Sequence, residues 1–299
     1  MKISDISIIG PGALGSPLLS ALLLAGYPIH SVWSRSPEKC RLAREAEKVE
    51  LNSGFPEEPS YVGQVLFLTV PDDEIGSLAT RLAGSGDRWA GRMVVHCSGN
   101  ESSELLAPLQ ERGAVTLSMH PLQTFVRKEV VSGNASSDAE LFREITITIE
   151  GENAVARREL TKLVERLGAR ALPLDRDQKR KLHLAAVFLS NYVVSLGEIA
   201  DRIIRDAMDG ESARILQPLL QQTVHNMDRE DLSGALSGPI ARGDTRSVNR
   251  HLSLVRENPL LDKLYRHLGS VALELARRKG SIDMSAAEKL KEYFEGSDE

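Results

Sequence analysis

The residues predict an α/β chain, with a doubly wound, mostly parallel sheet first and an all-α domain after it. Three observations carry this. Ile6 to Gly15 pass from a buried-strand pattern directly into Gly-x-Gly-x-x-Gly. Short apolar runs then alternate with amphipathic ones, as expected for a sheet covered by helices on both faces. From Asp175 onward no convincing strand pattern returns. The predicted domains are therefore 1–174 and 175–299, in keeping with a chain too long for one ordinary core.

The first element sets the expectation for the rest. Gly10, Gly12, Ala13, Leu14 and Gly15 form the turn between the first strand and an apolar helix over 16–25. Gly10 permits the tight turn, Gly12 removes a side chain that would block phosphates, and Gly15 lets helix and strand pack closely. A diphosphate placed there meets the free N–H groups and the dipole of a helix N-terminus. This predicts a dinucleotide site.

Ile29 to Trp33 form the second strand, followed by Ser34, Arg35 and Ser36. A carboxylate at this place would bond both ribose hydroxyls of NAD and repel a 2′-phosphate. Arg35 instead attracts that phosphate and can stack on adenine, with Ser34 and Ser36 adding hydroxyls and Lys39 one turn further on. The reading favours NADP(H) over NAD. The alternative is that Ser36 caps a helix beginning at Pro37-Glu38 and leaves Arg35 solvated.

Further strands are predicted at Val65 to Val70, Met93 to Cys97, Ala114 to Met119, Glu144 to Ile149 and Ala169 to Leu174. A helix over 152–167 lies between the last two, and Arg127 to Ser137 read as a mobile polar loop. Residues 176–208 read as one long helix with Gly210 at its C-terminal cap. Helical stretches near 212–228, 245–257, 259–278 and 284–295 follow, broken at Gly238-Pro239, Gly243 and Pro259. A helical domain behind a dinucleotide fold predicts a substrate cleft between the two.

Composition removes several alternatives. A 41% hydrophobic and 26% charged chain of net charge −5 is that of a globular protein with no basic face for nucleic acid. Its two cysteines, Cys40 and Cys97, support neither a disulfide framework nor a zinc site, and no metal is predicted. No uninterrupted apolar run approaches the ~20 residues of a bilayer span. The first strand begins at once, which predicts no signal peptide, no membrane partner and a cytoplasmic address.

The motifs Gly10-Pro-Gly-Ala-Leu-Gly15, Val70-Pro-Asp-Asp73, His96-Cys-Ser-Gly99, His120-Pro-Leu-Gln-Thr-Phe125, Asn191-Tyr192 and Gly238-Pro-Ile-Ala-Arg-Gly-Asp244 together resemble one known group. The chain is similar to Rossmann-like proteins whose C-terminal part is catalogued only as a domain of unknown function. These are relatives of deazaflavin-dependent NADP oxidoreductases, pyrroline-5-carboxylate reductases and 6-phosphogluconate-type dehydrogenases. The resemblance implies a 6-phosphogluconate-dehydrogenase-like helical domain, NADP binding, and a homodimer formed through the helices. It supplies no substrate.

Ligands of open parallel sheets lie beyond the C-terminal strand ends, which selects Val70, Pro71, His96, Ser98 and His120. Pro71 can leave the Val70 carbonyl free toward the nicotinamide end, with Asp72 or Asp73 capping the next helix. His120 is the first choice for the proton-handling group, because an imidazole near pKa ~6.5 can supply a proton at neutral pH. Gln123 and Thr124 offer neutral partners to a substrate, and His96 is a weaker candidate that could be packed.

Lys179, His183, Val187 and Asn191 recur every four residues and share a helix face. Related hydroxyacid dehydrogenases pair a lysine with an asparagine four residues later; here Val187 holds the lysine's place. His183 is then the substitute acid and Asn191 the orienting amide, and no role passes to Lys179 or Lys181. Arg242 could clamp a substrate carboxylate, Asp244 should cap a helix, and Cys97 should be a small buried residue. The sequence thus predicts an NADP(H)-dependent oxidoreductase acting on a small carbonyl or imine compound. A non-catalytic NADP-binding regulator or scaffold is the alternative, and a prephenate-dehydrogenase-like activity is a third reading.

Overall fold

The computed structural model describes residues 3–37, 49–86, 89–126 and 135–296. Lys39, Cys40 and residues 127–134 of the expected loop lie outside the described residues. The chain divides into two compact units, Met1–Ser195 and Leu196–Glu299. That division falls one helix later than the change of pattern at Asp175.

The first unit holds an eight-stranded sheet in the order β3-β2-β1-β4-β5-β6-β7-β8. Its strands are β1 (Ile6–Ile9), β2 (Ile29–Ser34), β3 (Glu50–Ser53), β4 (Val65–Leu68), β5 (Met93–His96), β6 (Val115–Pro121), β7 (Thr146–Glu150) and β8 (Arg170–Pro173). Every adjacent pair is parallel except β6–β7, where Ser118 stands opposite Glu150 and His120 opposite Thr148. The order reverses at β1, the switch point where doubly wound sheets take their ligands. β3 is absent from the sequence prediction. Its Glu-Leu-Asn-Ser pairs only with β2 at the sheet edge and carries no periodic signal.

Helices α1 (Gly15–Leu24), α2 (Asp72–Gly84), α3 (Ala107–Glu111), α4 (Ala135–Glu140), α5 (Ala154–Arg166) and α6 (Arg176–Leu189) accompany the sheet. One core joins Leu18, Leu19 and Leu22 of α1 to Ile6, Ile8, Val95 and Leu117 and to Leu160 and Leu163 of α5. The other joins Leu66, Leu68 and Val94 to Ile75 and Leu82 of α2 and to Trp89. These side chains are fully buried, each worth roughly 1.5–3 kcal/mol of transfer energy. Residues 135–137, predicted as loop, are instead the first turn of α4.

The predicted single helix over 176–208 is two. Ser190 leaves helical geometry, with φ −120° and ψ −72°, and its Oγ bonds the Ala186 carbonyl at 2.7 Å. Helix α7 (Asn191–Ala207) starts beyond it. The stretch Arg176–Ala207 is also long and apolar enough, by composition, to cross a membrane, where the sequence reading counts no such run. Its charged residues fall in the opening turns of α6 and in the last turns of α7, from Glu198 on, and leave an apolar stretch between them.

The second unit continues with α8 (Gln217–Arg229), α9 (Leu232–Ala235), α10 (Thr245–Val255), α11 (Pro259–Lys279) and α12 (Met284–Glu295). Its own core gathers Val248, Leu252, Leu273, Ala287, Leu290 and Phe294. Asp244 caps α10 through the Ser247 N–H, as its position predicts, and Asn258 and Asp283 cap α11 and α12.

Candidate functional site

The glycine turn is built as its sequence demands. Gly10 holds φ +93°, a region open to glycine at little cost, and its N–H bonds the Trp33 carbonyl at 2.9 Å. A Cβ on Gly15 would run into the Gly10 carbonyl and the Thr69 hydroxyl, so α1 sits against β1 and β4 only because that Cβ is missing. Around Gly12 the situation is opposite, since a Cβ there would meet only the Gly10 carbonyl, at 3.9 Å. No described protein atom fills that space, which fits a cradle for an anionic group at the start of α1.

Beside the turn, at the end of β2, Ser34 Oγ accepts the Ser36 N–H at 3.1 Å. Arg35 is largely exposed and pairs with Glu74 of α2 at 3.1 Å. At the end of β4, Thr69 Oγ1 donates to the Gly10 carbonyl at 2.7 Å, tying the two strand ends together. Pro71 occupies the cap position of α2, so Asp72 and Asp73 are its first-turn residues and not its caps. Asp72 turns to the next strand end, accepting from Ser98 Oγ at 2.6 Å. Ser98 Oγ in turn accepts the N–H groups of Asn100 and Glu101 at 3.2 and 3.0 Å.

At the ends of β5 and β6 the structure assembles three imidazoles and a lysine. Gly99 passes between two of the rings: a Cβ there would strike His183 Nδ1 and lie 2.8 Å from His120 Nε2. Those rings meet edge to face, with centroids 5.6 Å apart. His183 Nδ1 is buried and has no hydrogen-bond partner among the described residues. Burial, then the neighbouring His183 and Lys179, lower the His120 pKa to about 4. His96 is fully buried, its Nδ1 accepting the Ser98 N–H at 3.2 Å. Burial and the Lys179 charge push its pKa to about 3. Both rings are therefore neutral at pH 7.

Lys179 is the residue the sequence reading set aside. It is only 2% exposed, and its Nζ donates to Ser118 Oγ of β6 and to the Glu101 carbonyl. Burial lowers its pKa to about 8, opposed by Glu150, Cys97, Asp72 and Glu101. The helix start explains the placement. Asp175 and Gln178 form a reciprocal cap at 2.8 and 3.0 Å, and Lys179 and His183, one turn apart, both reach groups of β6, Ser118 and His120. That Asp-x-x-Gln signal was present in the sequence and marks the helix start, though not the burial of Lys179.

Other predicted residues are placed differently. Asn191 lies past the Ser190 break, exposed, with its Oδ1 accepting from Ser190 Oγ at 2.8 Å. Gln123 and Thr124 are exposed, and Gln123 Oε1 accepts the Thr124 N–H at 2.8 Å. Arg242 is an exposed residue of the second unit. Cys97 is buried, and burial pushes its thiol up to about 12.

Residues 2–121 match the Rossmann-like domain family, and residues 145–272 match the domain of unknown function DUF2520. No curated protein matches the sequence significantly. A Bacteroides fragilis protein provisionally named an NADP oxidoreductase superposes with a TM-score of 0.69 at 22% identity, covering 94% of this chain and 99% of its own. A Thermotoga maritima protein gives 0.71 at 23% identity, over 92% and 99%. An imine reductase from Myxococcus stipitatus, in complex with NADP+, gives 0.62 at 16% identity, over 96% and 99%. The chain therefore has the two-part fold of these proteins.

Proposed function

We propose that this chain is an NADP(H)-dependent oxidoreductase acting on a small carbonyl or imine compound. The observation that carries the reading is the line of groups along the C-terminal ends of β1, β4, β5 and β6. There an open glycine cradle, the Asp72–Ser98 pair and the imidazole–lysine cluster follow one another. NADPH, when bound, supplies a hydride. Gly10, Gly12, Ala13, Leu14 and Gly15 would hold its diphosphate, with Ser34, Arg35 and Ser36 at the 2′-phosphate. Val70, Pro71 and Ser98 would border the nicotinamide half. The superposition on proteins named for NADP supports the same cofactor.

The chain's own work is the proton. Neutral His120 presents a ring nitrogen beside Gly99, with the His183 ring edge-on to it, where a reacting oxygen or nitrogen can be held. His120 at about 4 is a poor proton source by itself at pH 7. Lys179, at about 8, is mostly an ammonium there and stores the proton behind the rings.

Calorimetry with the two coenzymes tests the reading. NADPH should bind, NADH more weakly, and Arg35→Asp should weaken NADPH alone by ~1.5–3 kcal/mol, the range of a charge-assisted hydrogen bond. No heat from either coenzyme refutes it. The chain is further proposed to act as a homodimer, because α7 and α8 expose Val194, Leu219, Leu220 and Val224. A monomer mass in light scattering counts against that.

A further inference from the structure

The sheet unit carries a second recess that the proposed chemistry leaves unused. A cleft of about 1140 Å³ opens where β7 runs antiparallel to β6, bordered by Ser103, Thr116, Glu150, Gly151, Asp175 and Gln178. A water molecule claims ~30 Å³, so the cleft admits solvent and small ions freely. Glu150 is itself 6% exposed, and Ser103 grips both its carboxylate oxygens, the N–H at 2.7 Å and Oγ at 2.9 Å.

Glu150 stands directly opposite Ser118 in the antiparallel ladder, and directly opposed residues present their side chains on the same face. Ser118 Oγ is the hydroxyl that receives Lys179 Nζ. One carboxylate thus borders the cleft on one side and the buried ammonium's hydrogen-bonding partner on the other. Asp72 from α2, Cys97 after β5 and Glu101 act on the same ammonium, as does Glu150, whose attraction is the largest. His96 and His120 feel its charge as well.

We propose that Glu150 is a positioning residue that holds the charge of Lys179 from the side of this cleft. The inference rests on Lys179 being the proton store of the proposed reaction. Reduction turns a C=O or C=N bond into C–H plus O–H or N–H, consuming one hydride and one proton. The proton leaves Lys179 as an N–H bond breaks, passes through the imidazoles, and leaves a neutral amine. A proton from solvent re-forms that N–H bond, and the Glu150 carboxylate favours the ammonium so restored.

The test reads Lys179 directly, by carbon-13 NMR of lysine-labelled full-length protein titrated with alkali, the signal assigned with Lys179→Met. Glu150→Gln still accepts the Ser103 N–H and should lower the Lys179 midpoint by about one pH unit, whereas Glu150→Asp should stay near the parent. Glu150→Ala should shift as Gln does, and added formate should restore it through the cleft. An unmoved midpoint in a natively folded Glu150→Gln overturns the proposal, and so does a shifted Glu150→Ala that formate leaves unchanged. Absence of NADPH binding by the parent sinks the functional reading instead, and is scored separately by calorimetry.

Discussion

Acidification should unfold the sheet unit well above the pH at which its carboxylates titrate. His96 and His120 are held at about 3 and about 4, against 6.5 for a free imidazole. The unfolded chain therefore takes up two protons below 6.5 that the native chain refuses, so stability falls as pH falls through that window. At pH 5 each ring contributes about 2 kcal/mol to the loss, about 4 kcal/mol for the pair. That is a large share of a typical 5–15 kcal/mol. Asp5 of the same unit, whose carboxyl lies below the ordinary 3.8, loses its contribution only under that pH. Trp33 and Trp89, both buried in this unit, report urea unfolding by fluorescence. Midpoints should drop steeply from pH 7 to pH 5, and His120→Asn should remove about half of the slope. Equal midpoints at the two pH values would refute the reasoning, since neutral burial of the rings requires the loss.

Two further outcomes follow from the site. Gly15→Ala places a methyl against the Gly10 carbonyl and Thr69 hydroxyl; NADPH affinity should fall at least about tenfold, or ~1.4 kcal/mol, as read by calorimetry. In a Cys40→Ser background, Cys97, with its thiol raised to about 12, should resist a thiol reagent at pH 8 and react only after denaturation. Rapid labelling of native protein would show that the residue is not packed as described.

Much of this was legible in the residues, because the informative signals are local. A glycine turn after a strand needs no partner to be recognised, and the strands of the sheet interior carry apolar runs. β3 lacked that signal, as an edge strand can. The site was read less well. His120 and His183 come together through Gly99, a contact no spacing reveals, and Lys179 was dismissed because a known lysine–asparagine spacing was sought. The cap pair at Asp175 and Gln178 marks its turn of helix, but no spacing places that turn against Ser118 of β6. The break at Ser190 defeated the periodic reading, since apolar positions keep their rhythm across it.

The seam at Ser190 has a consequence for how this scaffold can be altered. A residue inserted between Asp175 and Lys179 would swing both basic side chains by about 100° around the helix axis and dismantle the cluster. The same insertion just after Ser190 would leave every one of those groups in register. A change of length in the trailing helices thus leaves the spacing of the proton machinery untouched, because its helical members, Lys179 and His183, both precede the seam.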